Sequence, residues 1–125
     1  MKTVLFVGAG RHQRRAIEHA RSRGLRVAAV DRNALAPGLR AADIAEVVDF
    51  TDVEAVTEVA RRHRVDGVLT VSADRAVPVV AAVAEELGLP GIGRNVAHGM
   101  THKLAMRRAL AAVGLPQQAH ASLRA

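Results

Sequence analysis

The residues of this 125-residue chain best placed by type and spacing to do chemistry are Gly8, Gly10, Gln13 and Asp31. Two glycines directly after an apolar run let the backbone turn sharply. A helix starting there offers unpaired N–H groups and the positive end of its dipole. Arg11, Arg14 and Arg15 bring further positive charge to the same mouth, so the turn is expected to stabilise an anion. The same residues also admit a purely structural reading, in which the glycines shape a strand-to-helix turn and Asp31 caps the loop that follows.

As a dinucleotide fingerprint the run reads Gly8-Ala9-Gly10-Arg11-His12-Gln13. Gln13 stands where a third glycine or alanine normally lets helix and sheet approach closely. Asp31 lies near the distance at which an acid binds ribose hydroxyls, so a free-standing Rossmann module, NAD(P)- or nucleotide-binding or regulatory, is the alternative function. Ser72-Ala73-Asp74 follows a second apolar run and supplies a hydroxyl and a carboxylate. It is not a Gly-x-Ser-x-Gly elbow, and no histidine has a defined position relative to it. His98 and His102 are four apart, but Gly99 and Thr101 interrupt the pattern and no third ligand is near, so no metal site is expected. Adjacent Glu85 and Glu86 point in different directions on a helix and read as solvated charges.

These residues need a frame to position them. Val4-Leu5-Phe6-Val7 and Val27 to Val30 are continuous apolar runs of the kind found in strands covered on both faces. Ala36-Pro37-Gly38 is a turn signal, a third strand is expected around Glu46 to Phe50, and Thr51-Asp52 should cap a helix over Val53 to Arg64. Asp66 to Val71 reads as a fourth strand, Arg75 to Leu87 as a helix stopped by Gly88, and Pro90 to Gly93 as a short fifth strand. Helical pieces near Asn95 to Met100 and Lys103 to Val113 follow, the second ended by Gly114 and Pro116. Short connections between alternating strands and helices predict an α/β fold, a Rossmann-like open parallel sheet of about four or five strands with helices on both faces. In such sheets ligands sit beyond the carboxyl ends of the strands. The loops Gly8 to Gln13, Asp31 to Gly38 and Ser72 to Arg75 meet there, and their charges suit a polar or anionic small molecule.

Composition narrows the classes. A chain of this length suits one core, and the absence of cysteine removes disulfides, thiolate metal sites and thiol nucleophiles. No apolar run approaches the roughly 20 residues of a membrane span, and a cytoplasmic location is expected. The net charge of +6 rests on 18 basic residues, 16 of them arginine. Nucleic acid is a poor fit, because the only aromatics, Phe6 and Phe50, fall in expected strands and leave no stacking platform. A homodimer is compatible with the chain.

In order and spacing, Gly8-x-Gly10-x-x-Gln13, Val30-Asp31-x-Asn33-x-x-Ala36-Pro37-Gly38 and Ala42-Asp43 resemble the amino-terminal domain of ATP-grasp ligases. So do Asp66-Gly67-Val68-Leu69-Thr70, Ser72-x-Asp74-x-Ala76-Val77 and Leu87-Gly88-Leu89-Pro90-Gly91. Thr101-His102-Lys103-x-x-Met106-Arg107-x-x-Leu110-x-x-x-Gly114-Leu115-Pro116 is similar to the lead-in to the ATP-grasp domain proper. The resemblance implies a pre-ATP-grasp domain over residues 1–100, and a lead-in helix with the start of a truncated ATP-grasp domain over residues 101–125. It implies substrate binding and scaffolding for ATP-dependent ligation of a carboxylate to an amine or thiol through an acyl-phosphate, with ATP and Mg²⁺ as cofactors of the full-length parent. Lys103 matches the family's ATP-facing lysine, whereas His102 stands where a small acid is commoner. Only nine residues follow Pro116, so the phosphate-clamping sheets and Mg²⁺-binding acids would lie in a downstream domain or a split partner. The chain alone is then expected neither to catalyse nor to bind those cofactors tightly, as a truncated piece, a partial gene product or one part of a split enzyme.

Overall fold

The computed structural model describes residues 1–114, so Leu115 to Ala125, including the stop signal at Pro116, lie outside the described residues. Strands β1 (Thr3–Val7), β2 (Arg26–Asp31), β3 (Ile44–Val47) and β4 (Gly67–Leu69) form one sheet in the order β3-β2-β1-β4. Every adjacent pair is parallel. Helices α1 (Arg14–Ser22), α2 (Pro37–Ala41) and α3 (Val53–Arg62) make the crossovers, and α4 (Val77–Leu87), α5 (Arg94–Thr101) and α6 (Lys103–Ala112) follow β4.

The period-two alternation of strand side chains divides the core into two layers. Leu5, Val7, Ala28 and Val30 face α3 and α4, where they meet Val56, Val59, Val79 and Val83. Phe6, Val27 and Ala29 face the other way, against Ile17 of α1 and Leu39 of α2. Burial on both sides explains why β1 and β2 read as unbroken apolar runs.

Two aspartates fasten the strand starts. Asp66 accepts the Thr3 amide through Oδ2 at 2.8 Å while its own amide donates to the Thr3 carbonyl at 2.7 Å. Asp43 repeats this across β2 and β3, accepting from Val27 N at 2.8 Å and donating to Val27 O at 2.9 Å. Each acid thus satisfies an amide at the start of the neighbouring strand, Thr3 of β1 or Val27 of β2, and fixes its register. Asp52 caps α3 as expected, its carboxylate accepting from Ala55 N at 3.1 Å.

Several expected boundaries move. The third strand begins earlier, at Ile44, because Asp43 sets its start against Val27. It stops at Val47 because β2 ends at Asp31 and leaves Asp49 and Phe50 nothing to pair with. Pro90 to Gly93 is not a strand among the described residues: Pro90 lacks an amide donor, and Gly93, at φ 82°, turns the chain into α5 as its N-cap. Ala36-Pro37-Gly38 is not a free turn but the first turn of α2, with proline at the position where its missing N–H matters least. No helix among the described residues is long and apolar enough to cross a membrane.

Candidate functional site

The strand order reverses direction between β1 and β4, so the crevice of this sheet lies at their carboxyl ends. The glycine turn sits there. Gly8 adopts φ 93°, a conformation that a side chain would strain, and its amide donates to Val30 O at 3.0 Å. The Ala9 amide donates to Asp31 Oδ2 at 2.9 Å, and the Gly10 amide to Gln13 Oε1 at 2.8 Å. Two donors that would be available to an external anion are therefore satisfied within the chain. Helix α1 begins only at Arg14, after a turn in which Gln13 N and Arg14 N both donate to Gly10 O.

Gln13 is 7% exposed and joins two loops. While Oε1 holds Gly10, Nε2 donates to Val71 O at 2.8 Å, with Ser72 O at 3.4 Å. Ser72 stands at φ 54°, a left-handed conformation costing a non-glycine residue about 1 kcal/mol, which fixes the path of the loop that Gln13 grips. Asp31 is likewise committed: its second oxygen accepts from Asn33 N at 2.9 Å. Behind the turn, Gly38 N donates to Ala9 O at 2.7 Å, and a Cβ at Gly38 would fall 2.4 Å from that oxygen. Only glycine allows this approach. The turn is thus held by a carboxylate, an amide side chain and a helix start.

The exposed rim above this floor is charged. Arg11 and His12 are exposed on the turn, and Ser72, Asp74 and Arg75 are exposed on the loop after β4. Thr70 anchors that loop by donating its hydroxyl to Val7 O at 2.7 Å. A Cβ placed on Gly8 would lie 4.0 Å from Ala73 Cβ, so the two loops are in contact. Asp49 belongs to the same rim. Hydrogen bonds from the Thr51 hydroxyl and amide hold its carboxyl below the usual range, and the charges of Arg32 and Arg75 add to the effect. Asp49 was missed as a site residue because its signal, Asp-x-Thr, is also an ordinary turn pattern.

Lys103 is exposed at the first position of α6. A cation there opposes the helix dipole, so helix stability does not account for it. The preceding His102 does the work of the small acid that the resemblance led one to expect: its Nδ1 accepts from Ala105 N at 3.2 Å and caps the helix. Its ring stacks on His98 with centroids 4.8 Å apart. His98, Thr101 and His102 share a recess of about 310 Å³ with Asp74 and Arg75. The structure therefore gathers Gly8, Gly10, Arg11, Gln13, Asp31, Ser72 and Asp74 around one end of the sheet. Lys103 stands one residue beyond a recess that opens on that rim. Among the described residues no group of three or more His, Asp or Glu side chains is placed to hold a metal ion.

The family model described as the ATP-grasp N-terminal domain matches residues 17–91. A formate-dependent phosphoribosylglycinamide formyltransferase from Synechococcus sp. (strain CC9605) is 39% identical over 85 residues, covering 68% of this chain and 22% of that relative. The chain thus spans about a fifth of the length of the curated relatives it matches. A phosphoribosylglycinamide synthetase from Anaerococcus prevotii superposes with a TM-score of 0.79 at 26% identity, covering 89% of this chain and 28% of that one. An L-amino acid ligase from Bacillus licheniformis gives a TM-score of 0.78 at 28% identity, over 93% of this chain and 31% of the other. A family model that covers more than half of the sequence shows that the chain belongs to the ATP-grasp N-terminal domain family.

Proposed function

We propose that residues 1–100 hold the anionic substrate of an ATP-dependent carboxylate ligase, and that residues from 101 onward lead into the ATP-clamping part of the full-length protein, in the cytoplasm. The observation that carries this reading is the Gln13 stitch, which fixes the glycine turn to the Val71–Ser72 carbonyls and so holds two ligand-facing loops in one geometry. Such preorganisation is what a positioning site needs. With Ala9 N and Gly10 N already bonded, recognition falls to side chains: the guanidiniums of Arg11, Arg32 and Arg75 for phosphate or carboxylate, and Asp74 and Ser72 for amine or hydroxyl groups. The named activity of the Synechococcus relative suggests phosphoribosylglycinamide, a phosphorylated amine, as the class of substrate.

Lys103 is the one described residue assigned to ATP, as a cation facing its phosphates. Mg²⁺ has no fitting donor set among the described residues, so its ligands are assigned to the downstream domain and no step is derived through it here. Gln13 weighs against the alternative of an NAD(P) module, because its buried amide occupies the place where a dinucleotide fold needs a small residue.

The test is a titration of residues 1–125 with phosphoribosylglycinamide, followed by amide chemical shifts. Saturable shifts at Gly8–Gln13, Arg32 and Ser72–Arg75, weakened roughly tenfold by Arg75→Ala, are expected. The same chain should not turn over ATP. In the full-length protein, Lys103→Ala should raise the Michaelis constant for ATP about ten- to a hundredfold, the loss expected for a desolvated contact to a charge. Saturable binding of NAD or NADP with no response to the phosphorylated amine would overturn the reading.

A further inference from the structure

A groove of about 410 Å³ runs between α1 and α2, on the face of the sheet that carries Phe6 and Ile17 and outside the rim described above. Arg14 and Arg21 stand on one bank and Arg40 on the other, with Leu35 and Pro37 at one end and Glu18 as the one acid lining it. The arginines are not equivalent. Arg21 is fixed by Asp43 at 3.0 Å and by a hydrogen bond to Ala41 O at 3.0 Å, and Arg14 is held by Glu18 at 2.8 Å. Arg40 has no carboxylate within ion-pair distance among the described residues. Two guanidiniums are thus oriented in advance, and the third is free for a ligand. Leu35 is 73% exposed, an apolar side chain for which the described residues offer no cover.

We infer that this groove is a docking surface for an acidic polypeptide segment bearing an apolar side chain. The charge is complementary: Arg15 adds to the basic residues of α1, and Glu18 is the only acid in the first 26 residues. Arginine beside an exposed aliphatic anchor is the composition of a protein interface. Nucleic acid fits less well. Phe6 is 2% exposed and Phe50 packs against the core, so the described residues present no exposed Phe, Tyr or Trp on which bases could stack. The inference does not rest on the substrate reading, because the groove and the rim share no residue.

The test uses residues 1–125 and a synthetic decapeptide of glutamates around one leucine, with its glutamine counterpart as control. Amide shifts should map to α1, α2 and Leu35, saturate, and weaken as salt is raised. Arg14→Glu with Arg40→Glu should reduce affinity at least tenfold, and Leu35→Ser severalfold, while Arg61→Glu with Arg108→Glu, the same change of charge elsewhere, should leave most of it. Leu35→Ser carries no change of charge and keeps the test open if the double reversal fails to fold. Absence of saturable binding, equal losses in both double variants, or stronger binding of a single-stranded oligonucleotide in the same groove would overturn the inference.

Discussion

Replacing Gln13 by alanine should loosen the floor of the crevice without touching the sheet. The side chain makes two hydrogen bonds of 2.8 Å, one accepted from Gly10 N and one donated to Val71 O, in a position only 7% exposed. Each contributes about 0.5 to 1.5 kcal/mol net, and stranding partners that are partly shielded from water moves the total to the upper part of the range, about 2 to 3 kcal/mol. For a domain of this size that corresponds to a fall in Tm of roughly 8 to 12 °C. Gln13→Glu refines the test. The introduced carboxylate can still accept from Gly10 N, but its second oxygen then faces the Val71 carbonyl. At neutral pH this variant should be less stable than Gln13→Ala. Its neutral form can donate to Val71 O, so the fold raises its pKa. The stabilising contact is therefore present at low pH and lost as pH rises through the raised value. Urea melts of the three proteins between pH 4 and pH 8 give the comparison. A loss below about 0.5 kcal/mol in Gln13→Ala, or identical pH profiles for the two variants, would refute a buried amide joining the loops.

Gly38→Ala should destabilise by about 3 kcal/mol or more in urea melts, since the added Cβ falls 2.4 Å from the Ala9 carbonyl oxygen, backbone that cannot swing away. Gly24→Ala, at φ 86° with no atom within 4 Å of the new Cβ, should cost only the conformational strain of about 1 kcal/mol. His102→Ala should remove the α6 cap and lower stability by about 1 kcal/mol, whereas His102→Asp, which can accept from the same Ala105 amide, should restore it; amide exchange at Ala105 reads the difference. Burial works against ionisation of Glu46, but the hydrogen bond from His63 and the charge and hydrogen bonds of Arg62 outweigh it, and its carboxyl titrates below the ordinary 4.5. That depressed value makes its stabilisation complete above 4.5 and lost as pH falls through the folded value. The stability gap between the native chain and Glu46→Gln should therefore close on acidification.

The sheet was legible because its signal is dense. Leu5 to Val7 of β1 and Val27 to Val30 of β2 are buried, and strand positions covered from both faces must be apolar one after another. Caps and stops such as Asp52 and Gly88 were legible for a similar reason, since a single residue type satisfies a local geometric need. Pro90 to Gly93 failed because a short run of small and apolar residues looks the same in a strand and in the turn before a helix; only the missing pairing partner separates them. Gly38 was read as a turn glycine when its necessity is tertiary: it faces the Ala9 carbonyl, 29 positions earlier in the chain. No local pattern carries that information. The cap made by His102 was hidden differently, because an imidazole nitrogen can replace a carboxylate oxygen without resembling it in sequence.

Gln13 changes what the glycine turn can do. In a dinucleotide fold the turn's own amides are the ligand site, and a small third residue leaves them open to the pyrophosphate. Here the glutamine carbonyl takes the Gly10 amide and the Asp31 carboxylate takes the Ala9 amide, so the chain supplies its own acceptors. The Asp31 carboxylate already brings negative charge to the mouth of the turn, which disfavours a second anion seated against the backbone. An anion is better held further out, at the guanidiniums of Arg11, Arg32 and Arg75, which are exposed and can move to meet it. The residue that spoils the fingerprint therefore does not empty the site. In the proposed reading it converts a backbone cradle into a rigid floor, and leaves recognition to side chains that can be varied without disturbing the fold.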